Sequence, residues 1–230
     1  MQNVVYRIIK ETSARVVALN NGEVDVINGI DSSVFDQIKK GGSKIFETEG
    51  NHVDYMVFNC RDGYATSDPE VRRALSQAIN VPEMIQALYK GYSTPAHSFF
   101  PAHVTGYSKD VRTPEYNPEA ARKVLEKKGI KELRLMTYSG PRLTNSAGGQ
   151  VVAEAVQAYL SKVGIKATID VYDWATYRSR LLTDKWDLSF IGWIGINGDP
   201  DNFIKPLAST DAASNPGLWN NAEFIEKTTR

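Results

Sequence analysis

The sequence predicts an α/β fold, a mostly parallel central sheet flanked by helices, and three observations point to it. Short apolar runs alternate with stretches of about 10 to 15 residues whose apolar positions recur at helical spacing. Helices open repeatedly on a capping side chain followed by proline, at Asp68-Pro69 and Asn117-Pro118. The run 187–203, DLSFIGWIGINGDPDNF, passes abruptly from apolar residues into glycine, asparagine and aspartate. Leu188, Phe190, Ile191 and Trp193 suit a strand buried on both faces, which Gly195, Gly198 and Pro200 cannot continue. Ligands of open α/β sheets sit beyond the carboxyl ends of strands, so this run marks the place to look for a site. A plain strand-to-helix connection without a ligand is the alternative reading of the run.

Taken in order, residues 4–9 read as a strand and Thr12 or Ser13 as the cap of a helix carrying Val16, Val17 and Leu19, stopped at Asn21-Gly22. Val24, Val26 and Ile30 suggest a second strand, which would close a β-α-β unit with parallel strands. Residues 31–40 form a short helix ended by Gly41-Gly42, and residues 44–47 a further short strand. Alternation in 52–59, HVDYMVFN, gives a strong strand. Helices follow from Asp68 and from Pro82 to Gly91, and then a proline-bearing stretch, 92–116, with little periodicity. Asn117 caps a helix ending at Gly129; 131–138 is a strand, and the loop SGPRLTNSAGG leads into QVVAEAVQAYLSKVG, with Val152, Ala155, Val156, Tyr159 and Leu160 on one face. A strand over 166–174 and a helix, WATYRSRLLTDKW, precede the 187–203 run. Beyond that run, Asp199 or Asp201 reads as the N-cap of a helix that turns Phe203, Ile204 and Leu207 inward.

Composition narrows the function classes. Of 230 residues, 42% are hydrophobic, ordinary for a globular core, and 27 basic residues balance 27 acidic ones. Without a basic run, nucleic acid and anionic membrane are poor partners. No stretch approaches the roughly 18 apolar residues of a membrane span. Cys60 is the single cysteine, which excludes an internal disulfide and a multi-cysteine metal centre and leaves a structural thiol as its reading. His97 and His103 have neither helical pairing nor a neighbouring cysteine, so no metal is expected there. No Gly-x-Ser-x-Gly or Ser-x-x-Lys pattern nucleates a serine hydrolase.

Two loops invite ligands on weak grounds. Gly148-Gly149 before a helix has the look of an anion-binding turn but lacks a Gly-Lys-Ser/Thr or a spaced glycine triad, and a flexible loop fits it better. Asn197, Asp199, Asp201 and Asn202 do not match a calcium loop, and helix capping explains them. What remains is Trp174, Trp193, Tyr177 and Arg142 at strand ends and in strand-to-helix loops. Aromatic faces supply area at low rotamer entropy, and a guanidinium grips a carboxylate with two prongs. This is a binding surface without a nucleophile; core tryptophans and a solvated arginine are the alternative.

Six collinear segments resemble the bacterial extracellular solute-binding protein family 5, the receptors of peptide-type ABC importers. They are ARVVALNNGEVDVI (14–27), VDYMVFNC (53–60), DPEVRRALSQAINVPEMIQALYKGYSTPAHSFFP (68–101), YNPEAARKVLEKKG (116–129), AEAVQAYLSKVGIKATIDVYDWATY (153–177) and GWIGINGDPDNF (192–203). The resemblance implies a single lobe of a type II periplasmic-binding-protein fold, residues 1–230 forming the second lobe of a longer, two-lobed protein. It further implies capture of an oligopeptide or related solute between lobes for delivery to ABC permease subunits, at the periplasmic or extracellular face, with no cofactor, no metal and no catalysis. In dipeptide-binding members an arginine after the 131–138 strand holds the ligand carboxylate and two tryptophans line the pocket; Arg142, Trp174 and Trp193 stand at those positions, with Ile196 and Asn197 beside them. The departure is Ile196, where those members carry an aspartate for the peptide's ammonium. An ammonium buried against isoleucine would be unpaired at a cost of several kcal/mol, so the resemblance leaves open a nickel chelate, haem, glutathione, an opine or an oligosaccharide. A signalling receptor and a small enzyme on the same lobe are the remaining alternatives.

Overall fold

The computed structural model describes residues 3–30, 32–209, 211 and 213–228, so Asp31 of the expected second helix and the end of the final AEFIEKTTR segment lie outside the described residues. The chain divides into two compact units, residues 1–49 and 50–230.

The first unit holds α1 (Thr12–Asn20) and, after a 3-10 turn at Ser32–Val34, α2 (Phe35–Lys40). Val16, Ala18 and Ile38 are its buried apolar residues. The cap of α1 is Glu11, without a side-chain bond, rather than Thr12 or Ser13. In place of a side-chain cap, the Arg15 guanidinium ties the flanking loops together, donating to the carbonyls of Ile9 (3.0 Å), Lys10 (3.1 Å) and Gly29 (3.1 Å). The strands expected at 4–9, 24–30 and 44–47 are not formed, and with them the expected parallel β-α-β unit is absent. A strand exists only where a partner pairs its backbone groups; these segments pair with no other among the described residues, and Val4, Val5, Tyr6, Ile8, Val26 and Phe46 stand exposed.

The second unit is built on four strands. β1 (His52–Phe58) leads through a 3-10 turn into α3 (Pro69–Gln77) and α4 (Val81–Tyr89). Then come α5 (Pro118–Lys127), β2 (Glu132–Tyr138), α6 (Gly149–Lys162), β3 (Lys166–Tyr172), α7 (Trp174–Thr183), β4 (Leu188–Ile194), α8 (Asp201–Ala208) and α9 (Ala222–Thr228). The helix starts follow the side-chain chemistry expected of them: Asp68 accepts from the Glu70 N–H (2.8 Å) and Asn117 from the Ala120 N–H (3.0 Å), each with proline in the first turn. Asp173 accepts from the Ala175 and Thr176 N–H groups at 3.1 Å, which ends β3 at Tyr172 and makes Trp174 the first residue of α7 rather than the end of a strand.

The sheet order is β1-β4-β2-β3. β2 runs parallel to both β3 and β4, and β1 closes the sheet as an antiparallel edge strand with Asp54 opposite Gly192. Side chains alternate between the two faces. On one face Leu133, Leu135, Leu188 and Phe190 pack with Val71 and Leu75 of α3, Leu125 of α5 and Val152, Val156 and Leu160 of α6. On the other, Met136, Tyr138 and Ile191 pack with Tyr177, Leu181 and Trp186. The Tyr177 hydroxyl anchors α7 to β4, donating to the Phe190 carbonyl (2.6 Å) beside Ser189 Oγ (2.7 Å).

Past β4 the chain turns sharply. Gly195 is gripped by Asn51, whose side-chain Nδ2 donates to the Gly195 carbonyl (2.6 Å) while its backbone carbonyl accepts from the Gly195 N–H (2.7 Å). A Cβ at Gly195 would collide with the Phe203 ring, so the close approach requires glycine. The helix beyond starts at Asp201 with Pro200 at the N-cap, not with an aspartate cap; Asp199 instead accepts from the Asp201 N–H (2.9 Å) within the turn. Phe203 is buried as expected, whereas Ile204 and Leu207 are only partly covered.

Candidate functional site

The carboxyl ends of β2 and β4 lie side by side, and the loops that leave them enclose a recess of about 240 Å³ lined by Tyr138, Arg142, Leu143, Thr144, Trp174, Gly192, Trp193 and Ile194. Its walls are mostly apolar, and its fixed charge is the Arg142 guanidinium, whose Cζ lies 3.8 Å from the centre of the Trp174 ring. Trp174 meets Tyr138 edge-on (5.2 Å) and Tyr177 at a tilt (5.6 Å), so the ring that supports the arginine is itself seated on the core. A guanidinium stacked this way is pre-oriented, and less freedom is lost when it binds an oxyanion.

The loop 139–148 is held from below. Arg142 and Asn145 exchange backbone hydrogen bonds (2.8 and 2.9 Å), making a tight reversal that puts Leu143 and Thr144 at its tip. Asn145 is fully buried, and both ends of its side chain are engaged: Nδ2 donates to Tyr138 Oη (3.2 Å), and Oδ1 accepts from Tyr89 Oη (2.9 Å) and the Gly148 N–H (3.0 Å). Gly148 has φ +93°, and a Cβ on Gly149 would run into Thr137 and Tyr138. The glycine pair thus lets α6 start directly against the end of β2; neither a flexible loop nor an anion cradle is needed to explain it.

Asp54 reaches the same rim from the edge strand. Opposite partners in an antiparallel pair share a face, and Gly192 offers no side chain there; Thr144 fills the place, so that a Cβ on Gly192 would collide with it. Thr144 Oγ1 donates to Asp54 Oδ1 at 3.3 Å. Burial pushes the Asp54 carboxyl up to about 7, the Thr144 bond opposing this only in part. The Tyr89 and Tyr138 hydroxyls are raised well above the usual phenol range, first by burial and then by the nearby Asp54 charge.

Of the residues singled out in the sequence, Arg142, Trp174 and Trp193 converge on the recess. Trp193 also borders a second hollow with Asn197, Asp199, Asp201, Asn202 and Lys205. Asn197 there accepts from the Asp199 N–H (3.2 Å). Ile196 borders neither hollow; it is 87% exposed, its N–H donating to Asn202 Oδ1 (3.1 Å). Tyr177, considered with the tryptophans, is buried in the core. The sequence reading missed Asp54, Thr144, Tyr89 and Asn145. Only Asp54 left a trace, a charge inside an otherwise apolar strand. Among the described residues no three or more His, Cys, Asp or Glu side chains stand together to hold a metal. The Cys60 thiol, half-buried and 3.6 Å from the Phe58 carbonyl, is pushed up by burial, in keeping with a structural role.

Residues 1–215 match the model of the bacterial extracellular solute-binding proteins, family 5 Middle. The chain belongs to this family. Among curated relatives, the dipeptide-binding protein of Escherichia coli (strain K12) is 30% identical over 95% of this chain. Heme-binding protein A of Haemophilus influenzae is 31% identical over 97% of it. Both alignments span only 42% of the relative's own length. Of solved structures, the dipeptide binding protein of Pseudoalteromonas sp. SM9913 in complex with Met-Leu superposes with a TM-score of 0.84 at 28% identity, covering 97% of this chain and 45% of that one. The periplasmic binding protein DppA of Helicobacter pylori, in complex with the peptide STSA, gives 0.81 at 25% identity, covering 97% and 44%. The family 5 fold seen here is that of the type II periplasmic binding proteins, and its relatives are named as binding proteins, not as enzymes. No helix among the described residues is long and apolar enough to cross a membrane.

Proposed function

We infer that this chain is the second lobe of a longer, two-lobed receptor that captures a peptide or related solute outside the cytoplasmic membrane and delivers it to ABC permease subunits. The observation that carries the reading is the Arg142 guanidinium stacked on Trp174 inside an aromatic recess, a grip for an oxyanion with no nucleophile among the residues lining it. Coverage of under half of each relative supports a partner lobe, as do the uncovered apolar side chains of residues 4–8 and of Val26 and Phe46, which such a lobe would bury. The recess is open on one side, and Leu143 and Ile194 on its rim are exposed, as expected of a wall that closes on something.

In this reading Arg142 holds a carboxylate, Trp174 and Trp193 pack against the solute body, and Ile196 and Asn197 contact it at the entrance. Binding stabilises the closed arrangement of the lobes by its differential affinity, and no bond is broken. A second reading, a non-peptide solute, is favoured by the exposed, apolar Ile196 in the turn after β4, where dipeptide-binding relatives are expected to carry an aspartate, and by the likeness to a heme-binding protein. Calorimetry tests the proposal. The full-length receptor should bind short peptides stoichiometrically without turning them over, whereas residues 1–230 alone, lacking the opposite wall, should bind them much more weakly. Micromolar or tighter binding by residues 1–230 alone, or peptide cleavage, would overturn it.

A further inference from the structure

Asn21, Asn28 and Asn197 are each followed by glycine, and the fold treats the three pairs differently. An Asn-Gly pair is reactive because glycine has no side chain to keep its amide nitrogen away from the carbonyl carbon of the preceding side chain. At Asn21-Gly22 that nitrogen is engaged. The Gly22 N–H donates to the Leu19 carbonyl (3.1 Å) at the end of α1, between the bonds from the Asn21 N–H to Val17 (2.9 Å) and from the Glu23 N–H to Ala18 (2.8 Å). At Asn28-Gly29 the Gly29 carbonyl is held by Arg15 (3.1 Å), and among the described residues no donor reaches the Asn28 side-chain carbonyl. Asn197-Gly198 differs from both. Asn197 Oδ1 accepts from the Asp199 N–H (3.2 Å), which draws electron density away from Cγ. The neighbouring amides of Ile196 and Asp201 also donate within the turn (3.1 and 2.9 Å), whereas the Gly198 N–H meets no acceptor among the described residues. Asn197 is exposed and Gly198, at φ +69°, is only partly covered, so water and base reach the pair.

We propose that Asn197 is a site of spontaneous deamidation through a succinimide, which makes the turn beyond β4 more acidic as the protein ages. The Gly198 nitrogen gives up its proton to a solvent base and attacks Asn197 Cγ. The N–Cγ bond forms, the Cγ–Nδ2 bond breaks, and ammonia leaves with a proton returned from water. Water then opens the ring at either of its carbonyl carbons and leaves aspartate or isoaspartate, with no change of oxidation state. The new carboxylate borders the hollow shared by Trp193, Asp199, Asp201 and Lys205. Lys205 is already paired with Asp201 (2.6 Å) and does not neutralise it. The modification stands apart from the capture function argued above; only its consequence rests on that reading, since an acidic rim repels a carboxylate-bearing solute on its approach.

The test incubates the full-length receptor in mildly alkaline buffer, folded and in urea, and follows amide-to-acid conversion at each Asn-Gly pair by peptide mapping with tandem mass spectrometry. Each folded rate is divided by the rate of the same pair in urea, which removes differences of local sequence. On that scale Asn197 should convert at least about tenfold faster than Asn21, whose glycine nitrogen must first break out of its hydrogen-bonded turn. Asn28 should fall between them. Asn197→Gln keeps an amide at the position but closes the corresponding ring far more slowly, and it should remove the conversion there. Conversion of Asn21 as fast as Asn197, an Asn197 that stays intact when folded but converts in urea, or conversion that persists in Asn197→Gln overturns the proposal. Asn197→Asp, one of the two products, reads the consequence: carboxylate-bearing peptides should associate about two- to fivefold more slowly at low salt. An unchanged rate overturns the effect on capture and leaves the site of modification standing. Failure of the wild-type receptor to bind such peptides overturns the capture reading instead, again without touching the mapping result.

Discussion

Replacing Asp54 by asparagine should make the stability of the chain less dependent on pH, and the size of the effect follows from the environment of the carboxyl. Burial raises it from 3.8 to about 7 in the folded protein. A folded-state value above the unfolded one means that the folded chain holds its proton more tightly. The stability this confers is complete below about pH 4 and is lost as pH rises through about 7. A shift of about three units corresponds to roughly 4 kcal/mol, and because the residue keeps some contact with solvent we expect about 2 to 4 kcal/mol. The titratable groups facing Asp54 are the hydroxyls of Tyr55, Tyr89 and Tyr138, all raised above the ordinary phenol range and therefore neutral throughout this window. Asp187, also raised by burial, is present in both proteins and cancels in the difference. Urea unfolding at about pH 4 and about pH 8 should show the variant gaining on the wild type by about 2 to 4 kcal/mol between the two, with unchanged m-values. A difference independent of pH would refute the argument, since it would mean that the Asp54 carboxyl is as well solvated folded as unfolded.

Two further substitutions test the geometry. In the full-length receptor, Arg142→Ala should weaken carboxylate-bearing ligands by about 2 to 5 kcal/mol, and Arg142→Lys should recover only part of this because an ammonium neither stacks flat on Trp174 nor presents a fork; calorimetric dissociation constants decide both. Gly192→Ala should destabilise the chain by about 1 to 3 kcal/mol in urea unfolding, because the added methyl would occupy the space of Thr144. Wild-type-like stability would show that Thr144 can move aside.

What could be read from the sequence was whatever neighbouring residues decide between themselves. Asp68, Asn117 and Asp173 cap helices because their donors lie two or three positions ahead, and the near-continuous apolar run of β4 follows from a core on both faces of the sheet. The strands expected in residues 4–9, 24–30 and 44–47 were misjudged for the complementary reason: their apolar pattern is real, but pairing depends on a partner that local pattern cannot supply. Asp199 was misjudged more finely, its carboxylate serving a turn one step before the helix it was expected to cap. At the site, Arg142, Trp174 and Trp193 were picked out as residue types at strand ends and by resemblance, never by spacing. Asp54 and Thr144 are ninety positions apart and meet only because β1 pairs with β4; no periodicity announces such a contact.

Tyr138 belongs at once to the floor of the recess and to the packed cluster that joins α7 to the sheet. A lineage that changed this ring to suit a new solute would loosen its own interior, so drift in specificity is channelled to the tip of the 139–148 loop and the turn after β4. On the capture function proposed above, Leu143 at that tip and Asn197 in that turn, which little else in the lobe leans on, are the positions from which the site would be retuned without rebuilding the lobe.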